Sequence, residues 1–159
     1  MKASTVNELK QELSHQSPKQ LVEFCARLAR FKKENKELLT YLLFEAHNEQ
    51  GYIQSVKDDM DLQFAEIPKG NSLYLVKKSL RKILRTANKH IRYTGSKDAE
   101  IQLLLHYCNQ LKLSGIPFHK SPVLVNLYQH QLKKIGQALT TLHEDLQYDY
   151  RKELERLTA

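Results

Sequence analysis

Lysine and arginine recur at Lys77, Lys78, Arg81, Lys82, Arg85, Lys89 and Arg92, with no Asp or Glu between them. On a helix turning about 100° per residue these side chains fall within an arc of roughly 140°, opposite Val76, Leu80, Ile83, Leu84, Ala87 and Ile91. Such a face binds anions: arginine forks bond pairs of phosphate or carboxylate oxygens, and lysine adds point charge. The wider run from Lys69 to Lys97 carries nine bases and no acid, +9 against +7 for the whole chain, so the excess is local. Tyr74 and Tyr93 flank the stripe and are candidates for stacking on unpaired bases. The like-charged i,i+4 pairs Lys77/Arg81, Lys78/Lys82, Arg81/Arg85 and Arg85/Lys89 each cost about 0.2 to 0.5 kcal/mol at low salt. That cost is tolerable, so one reading is a solvated face; the others offset it with nucleic acid or another polyanion, an acidic protein, or the chain's own Asp58, Asp59, Asp61 and Glu66.

Other chemistry has weaker support. Glu12 and His15 form one Glu-x-x-His pair, whereas a di-iron bundle needs two such pairs and two further glutamates. His106 and Cys108, two apart, point to different helix faces, and Asp58, Asp59 and Asp61 lack the glycine-bearing loop of a calcium site. No metal and no cofactor is expected on these grounds. The letters hold no GxSxG elbow, HExxH, Walker A loop or GxGxxG, so no catalytic residue is assigned. Cys25 and Cys108 stand alone among apolar residues and are read as buried free thiols. His47, His90, His130 and His143 fall on or at the ends of helical patterns, where surface and capping roles suffice.

The elements that must carry these residues are all helical, because no stretch alternates with the period of two that a half-buried strand requires. Thr5 with Glu8 and Ser17 with Gln20 are capping boxes, the second followed by a first-turn proline, and they open helices at 5–15 and 18–31. A third helix, 34–48, is apolar around its centre through Leu38, Leu39, Tyr41, Leu42, Leu43, Phe44 and Ala46, which predicts a helix surrounded by others. Ile53, Val56, Met60, Phe64 and Ile67 mark the inner face of a fourth, acidic helix, and Pro68, Gly70 and Asn71 a turn. The basic helix spans 72–94 with Gly95 as its C-cap, and Ser96 caps a sixth helix through Ile101, Leu104, Leu105, Cys108 and Leu111. After a connection at 114–122, the row Val125, Tyr128, Leu132, Ile135, Leu139, Leu142 and Leu146 reads as one helix of about 35 residues. A capping box at Thr141 and Glu144 leaves two helices as the alternative.

The expectation is therefore an all-α chain of seven or eight antiparallel helices, a compact bundle or a short HEAT-like α-α superhelix, in a single domain over 1–159. The amino-terminal residues lack the apolar stretch of a signal peptide and no run is long enough to span a membrane, so a cytoplasmic protein without membrane contact is expected. Function is read as non-enzymatic binding, the basic face of 72–94 presented to an anionic partner with nucleic acid first. An adaptor using the carboxyl-terminal helix and acidic helix four, with self-association through the former, is the alternative, and an enzyme with an unrecognised site the second.

Overall fold

The computed structural model describes residues 1–159 apart from Asn71, which lies outside the described residues together with its part in the expected turn. Every regular element among the described residues is helical: α1 Val6–Leu13, α2 Pro18–Phe31, α3 Lys33–Thr40, α4 Glu49–Ala65, α5 Leu73–Thr94, α6 Lys97–Leu113, α7 Pro122–Leu139 and α8 Glu144–Thr158. Short π and 3-10 turns, Tyr41–Glu45 and Ala46–Asn48, link α3 to α4, and a 3-10 turn at Phe118–Lys120 precedes α7. The chain is all-α, and by its contacts it divides into two compact units, Met1–Glu45 and Ala46–Ala159.

In the first unit the expected caps form. The Thr5 hydroxyl accepts from the Glu8 amide while Glu8 takes up the Thr5 amide at 2.7 Å, and Ser17 and Gln20 repeat the arrangement. The Thr5 donors hold the Glu8 carboxyl below its ordinary pKa. α2 packs on α3. Yet Tyr41 is the only buried residue of this unit, and the large apolar side chains of α1 (Val6, Leu9, Leu13) and α2 (Val22, Phe24, Leu28, Phe31) stand in solvent. Leu42, Leu43 and Phe44 are also 56 to 66% exposed, which overturns the reading of 34–48 as the surrounded helix. The α-helix ends at Thr40 and gives way to a π turn, so the apolar run no longer presents one continuous α-helical face. Cys25 is likewise exposed and not a core thiol.

The second unit is built around α6. Its Ile101, Leu103, Leu104, Tyr107, Cys108 and Leu111 have no accessible surface, and α4, α5, α7 and α8 all pack against it. One helix touching four others is bundle-like; in a HEAT-like stack each repeat meets only its neighbours. α4 contributes Ile53, Val56, Met60 and Phe64, α5 contributes Val76, Leu80, Ile83 and Ala87, and α7 contributes Leu124, Tyr128, Leu132, Ile135 and Leu139. Two phenols fasten the layers: Tyr107 donates to the Leu80 carbonyl at 3.0 Å and Tyr128 to the Leu157 carbonyl at 2.7 Å. Burial raises the Tyr107 phenol far above its ordinary range and pushes the Cys108 thiol and the Tyr128 phenol up to about 12. Asp98, in the first turn of α6, accepts from Tyr150 of α8 at 2.5 Å and from Gln50 and Gln102 on its other oxygen.

The carboxyl-terminal region is two helices, not one of about 35 residues. α7 stops at Leu139, the chain turns through Thr140–Leu142, and α8 starts from His143, whose Nδ1 accepts from the Asp145 amide at 3.4 Å. The Thr141 hydroxyl instead donates to the Ala138 carbonyl, so the expected Thr141–Glu144 box is replaced by a histidine cap. Tyr128, Leu132, Ile135 and Leu139 pack inside the unit, which removes them from any surface on which two chains zip together. At the other end of the unit, Asn48 caps α4 through a 3.1 Å bond from the Gly51 amide; a Cβ on Gly51 would come within 2.4 Å of the Asn48 amide nitrogen. No helix among the described residues is long and apolar enough to cross a membrane.

Candidate anion-binding groove

α5 realises the amphipathic pattern of its sequence. Val76, Leu80, Ile83 and Ala87 are buried against α6, and Lys78, Arg81, Lys82, Arg85 and Arg92 are exposed, with Lys77 and Lys89 half-buried. The helix ends where expected, at Gly95 with φ +60, and Ser96 accepts from the Ala99 amide to begin α6. This left-handed glycine reverses the chain sharply and brings the start of α6 beside the end of α5.

The stripe is not uniform. A groove of about 660 Å³ runs along α5 between the start of α6 and the side of α7, and all three arginines of the stripe, Arg81, Arg85 and Arg92, line it. Lys77, Lys78, Lys82 and Lys89 do not line it. The remaining walls come from Leu84, Asn88 and Ile91 of α5, from Gly95, Ser96, Lys97 and Glu100, and from Lys134 of α7. Lys134 Nζ donates to the Asn88 side-chain oxygen at 3.4 Å and so sits across the groove from the arginine row. Glu100, the acid of the lining, is bonded to Lys97 at 2.8 Å. The groove therefore presents five cations and one carboxylate, the latter paired with Lys97, which leaves Arg81, Arg85, Arg92 and Lys134 without a carboxylate partner over an apolar strip of Leu84 and Ile91.

The acids Asp58, Asp59 and Asp61 of α4 have their side-chain bonds elsewhere than on the stripe residues Lys77, Lys78, Arg81, Lys82, Arg85 and Arg92. Asp58 accepts from Gln54, Asp59 from Gln63, and Asp61 meets the His106 imidazole at 2.6 Å. Among the described residues Lys77, Lys78, Arg81, Lys82, Arg85 and Arg92 make no ion pair or side-chain hydrogen bond. Planar guanidinium groups held this way, on a helix fixed by its buried face, suit bidentate bonding to phosphate or carboxylate oxygens.

The two flanking tyrosines part company. Tyr74 is 74% exposed and remains available at the amino end of α5, but Tyr93 is buried, its ring packed edge-on against His90 at 5.9 Å between centroids. Tyr93 is thus a packing residue and not a stacking platform; the two positions differ by about 100° on the wheel, which turns Tyr93 onto the flank of α5 beside His90. Sequence reading also missed Lys97, Asn88 and Lys134 as groove residues. Lys97 was visible only as part of a charge run, and Lys134 lies 46 positions from Asn88 on another helix, a proximity that no local pattern encodes. Among the described residues no three His, Cys, Asp or Glu side chains gather as metal ligands would.

Comparison of the chain with protein-family models, with curated proteins and with solved structures gives no match.

Proposed function

We propose that the protein is a non-enzymatic helical binding protein whose α5 face receives a polyanion, nucleic acid before other anions. The observation that carries this reading is the segregation of Arg81, Arg85 and Arg92 into one groove, with Lys97 and Lys134 on its walls and no unpaired acid among its lining. A face that merely kept the protein soluble would gain nothing from collecting its arginines in a concavity; a sugar-phosphate backbone gains paired bonds at each fork. The apolar strip and exposed Tyr74 favour a strand with unpaired bases, because bases have faces to bury and duplex phosphates do not. Cytoplasmic location fits two cysteines that remain unpaired.

Fluorescence anisotropy with labelled single- and double-stranded oligonucleotides tests the reading. Five phosphate contacts give a log-log salt slope of about −3.5 on single strands and −4.5 on duplex, a loss of roughly 10² to 10³ in affinity between 50 and 200 mM salt. Arg81→Glu/Arg85→Glu should remove at least two contacts and bring the single-strand slope to about −2. Lys120→Glu/Lys133→Glu alters net charge equally at exposed positions outside the groove and should leave the slope nearly unchanged. Equal small losses in both variants would mean diffuse attraction to a basic protein, and no salt-dependent binding by the wild type would end the nucleic-acid reading.

A further inference from the structure

The three arginines of the α5 groove stand in one line. On the helical wheel Arg85 and Arg92 turn by only about 40° and 20° from Arg81, and at about 1.5 Å per residue they lie roughly 6 and 16 Å further along the helix. Lys134, bonded to Asn88, sets a fourth cation on the opposite wall at a height of roughly 10 Å. Positive charge thus recurs about every 4 to 6 Å along the groove. Tyr74 prolongs the line. It too lies about 20° from Arg81, roughly 10 Å towards the amino end of the same unbroken helix, and is 74% exposed. Leu84 and Ile91, half-buried, give the groove apolar surface between its charges.

Resting on the polyanion reading of α5, we infer that the line takes about five nucleotides of extended single strand and discriminates against duplex. One base stacks on Tyr74, and the backbone runs past Arg81, Arg85, Lys134 and Arg92 towards Lys97. Length sets the footprint: an extended strand repeats its phosphate at roughly 6 Å, so the ~27 Å from Tyr74 to Arg92 spans about four to five repeats. A duplex meets the same cations poorly. Its strands complete a turn in about 34 to 36 Å, so over the ~16 Å of the arginine line each swings nearly half-way round the axis and leaves it. Nor can the arginines enter a major groove as a protruding recognition helix does, because they line a concavity shared with α6 and α7. A single strand bends to follow the line, and its unpaired bases have faces for Tyr74, Leu84 and Ile91.

Anisotropy with oligodeoxythymidylates of about 2 to 12 nucleotides, and with a blunt duplex, tests it on the full chain. Affinity should climb steeply up to about five nucleotides and gently beyond. Four or five contacts give the single strand a salt slope of about −3 to −3.5, whereas a duplex that reaches about two should give roughly −2. Tyr74→Ala should weaken single-strand binding roughly 5-fold or more at an unchanged slope, and Tyr74→Phe should retain it. Tyr148→Ala, at a comparably exposed tyrosine of α8, should change nothing. Inorganic polyphosphate, which has charges but no bases, should bind wild type and Tyr74→Ala alike, and more weakly than the oligonucleotide. Three results would overturn the inference and leave the polyanion reading standing: duplex bound as tightly and with as steep a slope as single strand, an equal gain for every nucleotide added, or a Tyr74→Ala variant as tight as wild type. Absence of binding to any oligonucleotide would overturn both.

Discussion

Replacing Leu104 by alanine should cost far more than replacing Leu42, although the letters around Leu42 are the more apolar. Leu104 has no accessible surface and sits on the helix that four others enclose, whereas Leu42 is 56% exposed in a unit with one buried residue. Leucine-to-alanine changes at enclosed sites cost about 2 to 5 kcal/mol, a lost transfer energy plus a cavity that rigid neighbours cannot fill. Tyr107, bonded to the Leu80 carbonyl, is one neighbour that resists collapse, so about 3 to 4 kcal/mol is expected for Leu104→Ala. For Leu42→Ala no cavity forms and less than half the transfer energy is at stake, about 1 kcal/mol or less. Urea unfolding followed by circular dichroism measures both as shifts in midpoint, with slopes checked for constancy. Similar losses for the two variants, or a larger one for Leu42→Ala, would show that α6 is not the centre of the core.

Three further outcomes follow. Cys108 and Tyr128 are neutral in the folded state up to about 12 but ionise near 9.0 and 10.0 when exposed, so stability should be complete below about pH 9 and fall as pH rises from there toward 12; thermal melts from pH 8 to 11 that do not move would contradict their burial. Gly51→Ala should cost about 0.5 to 2 kcal/mol, because its Cβ displaces the Asn48 side chain from the α4 cap, and Asn48→Ala in the same background should add little if that is the cause. Lys134→Glu should lower the magnitude of the salt slope for oligonucleotide binding by about one contact, despite lying outside the basic run; an unchanged slope would remove α7 from the binding surface.

What could be read from the letters was what depends on local period and local caps. Thr5, Ser17 and Ser96 placed three helix starts, Gly95 placed an end, and the alternation of Val76, Leu80, Ile83 and Ala87 with basic residues gave α5 both its length and its outward face. Failures came where a pattern had two tertiary solutions. Leu38 to Phe44 is as apolar as a buried helix, yet burial needs neighbours, and the letters do not say whether those come from the same unit. α6 was available as the centre in Leu103, Leu104, Leu105, Tyr107 and Cys108, which leave almost no polar face, but reading only the positions at helical spacing made it look half-exposed. At the carboxyl end the heptad-like row continues across the break at Thr140–His143, since hydrophobic spacing on two packed helices can stay in phase through a tight turn. The groove was legible on one wall only. Its arginines belong to one helix, while Lys134 reaches it through the packing of α7 on α6.

On the proposed reading, in which α5 receives an anion, the cations Lys78, Arg81, Lys82 and Arg85 would tie folding to occupancy. Arg81 with Arg85 and Lys78 with Lys82 stand one turn apart with no carboxylate to separate them, so each pair disfavours the helix that displays it. An anion lodged between them cancels this repulsion only in the folded chain, because the unfolded chain lets the charges drift apart. Melting temperature then becomes a ligand sensor: at a free concentration of one hundred times the dissociation constant, a bound anion adds about 2.7 kcal/mol to stability. Phosphate buffers and chloride buffers of equal ionic strength should therefore give different melting curves for the same protein, and the difference should vanish when Arg81 and Arg85 are made neutral.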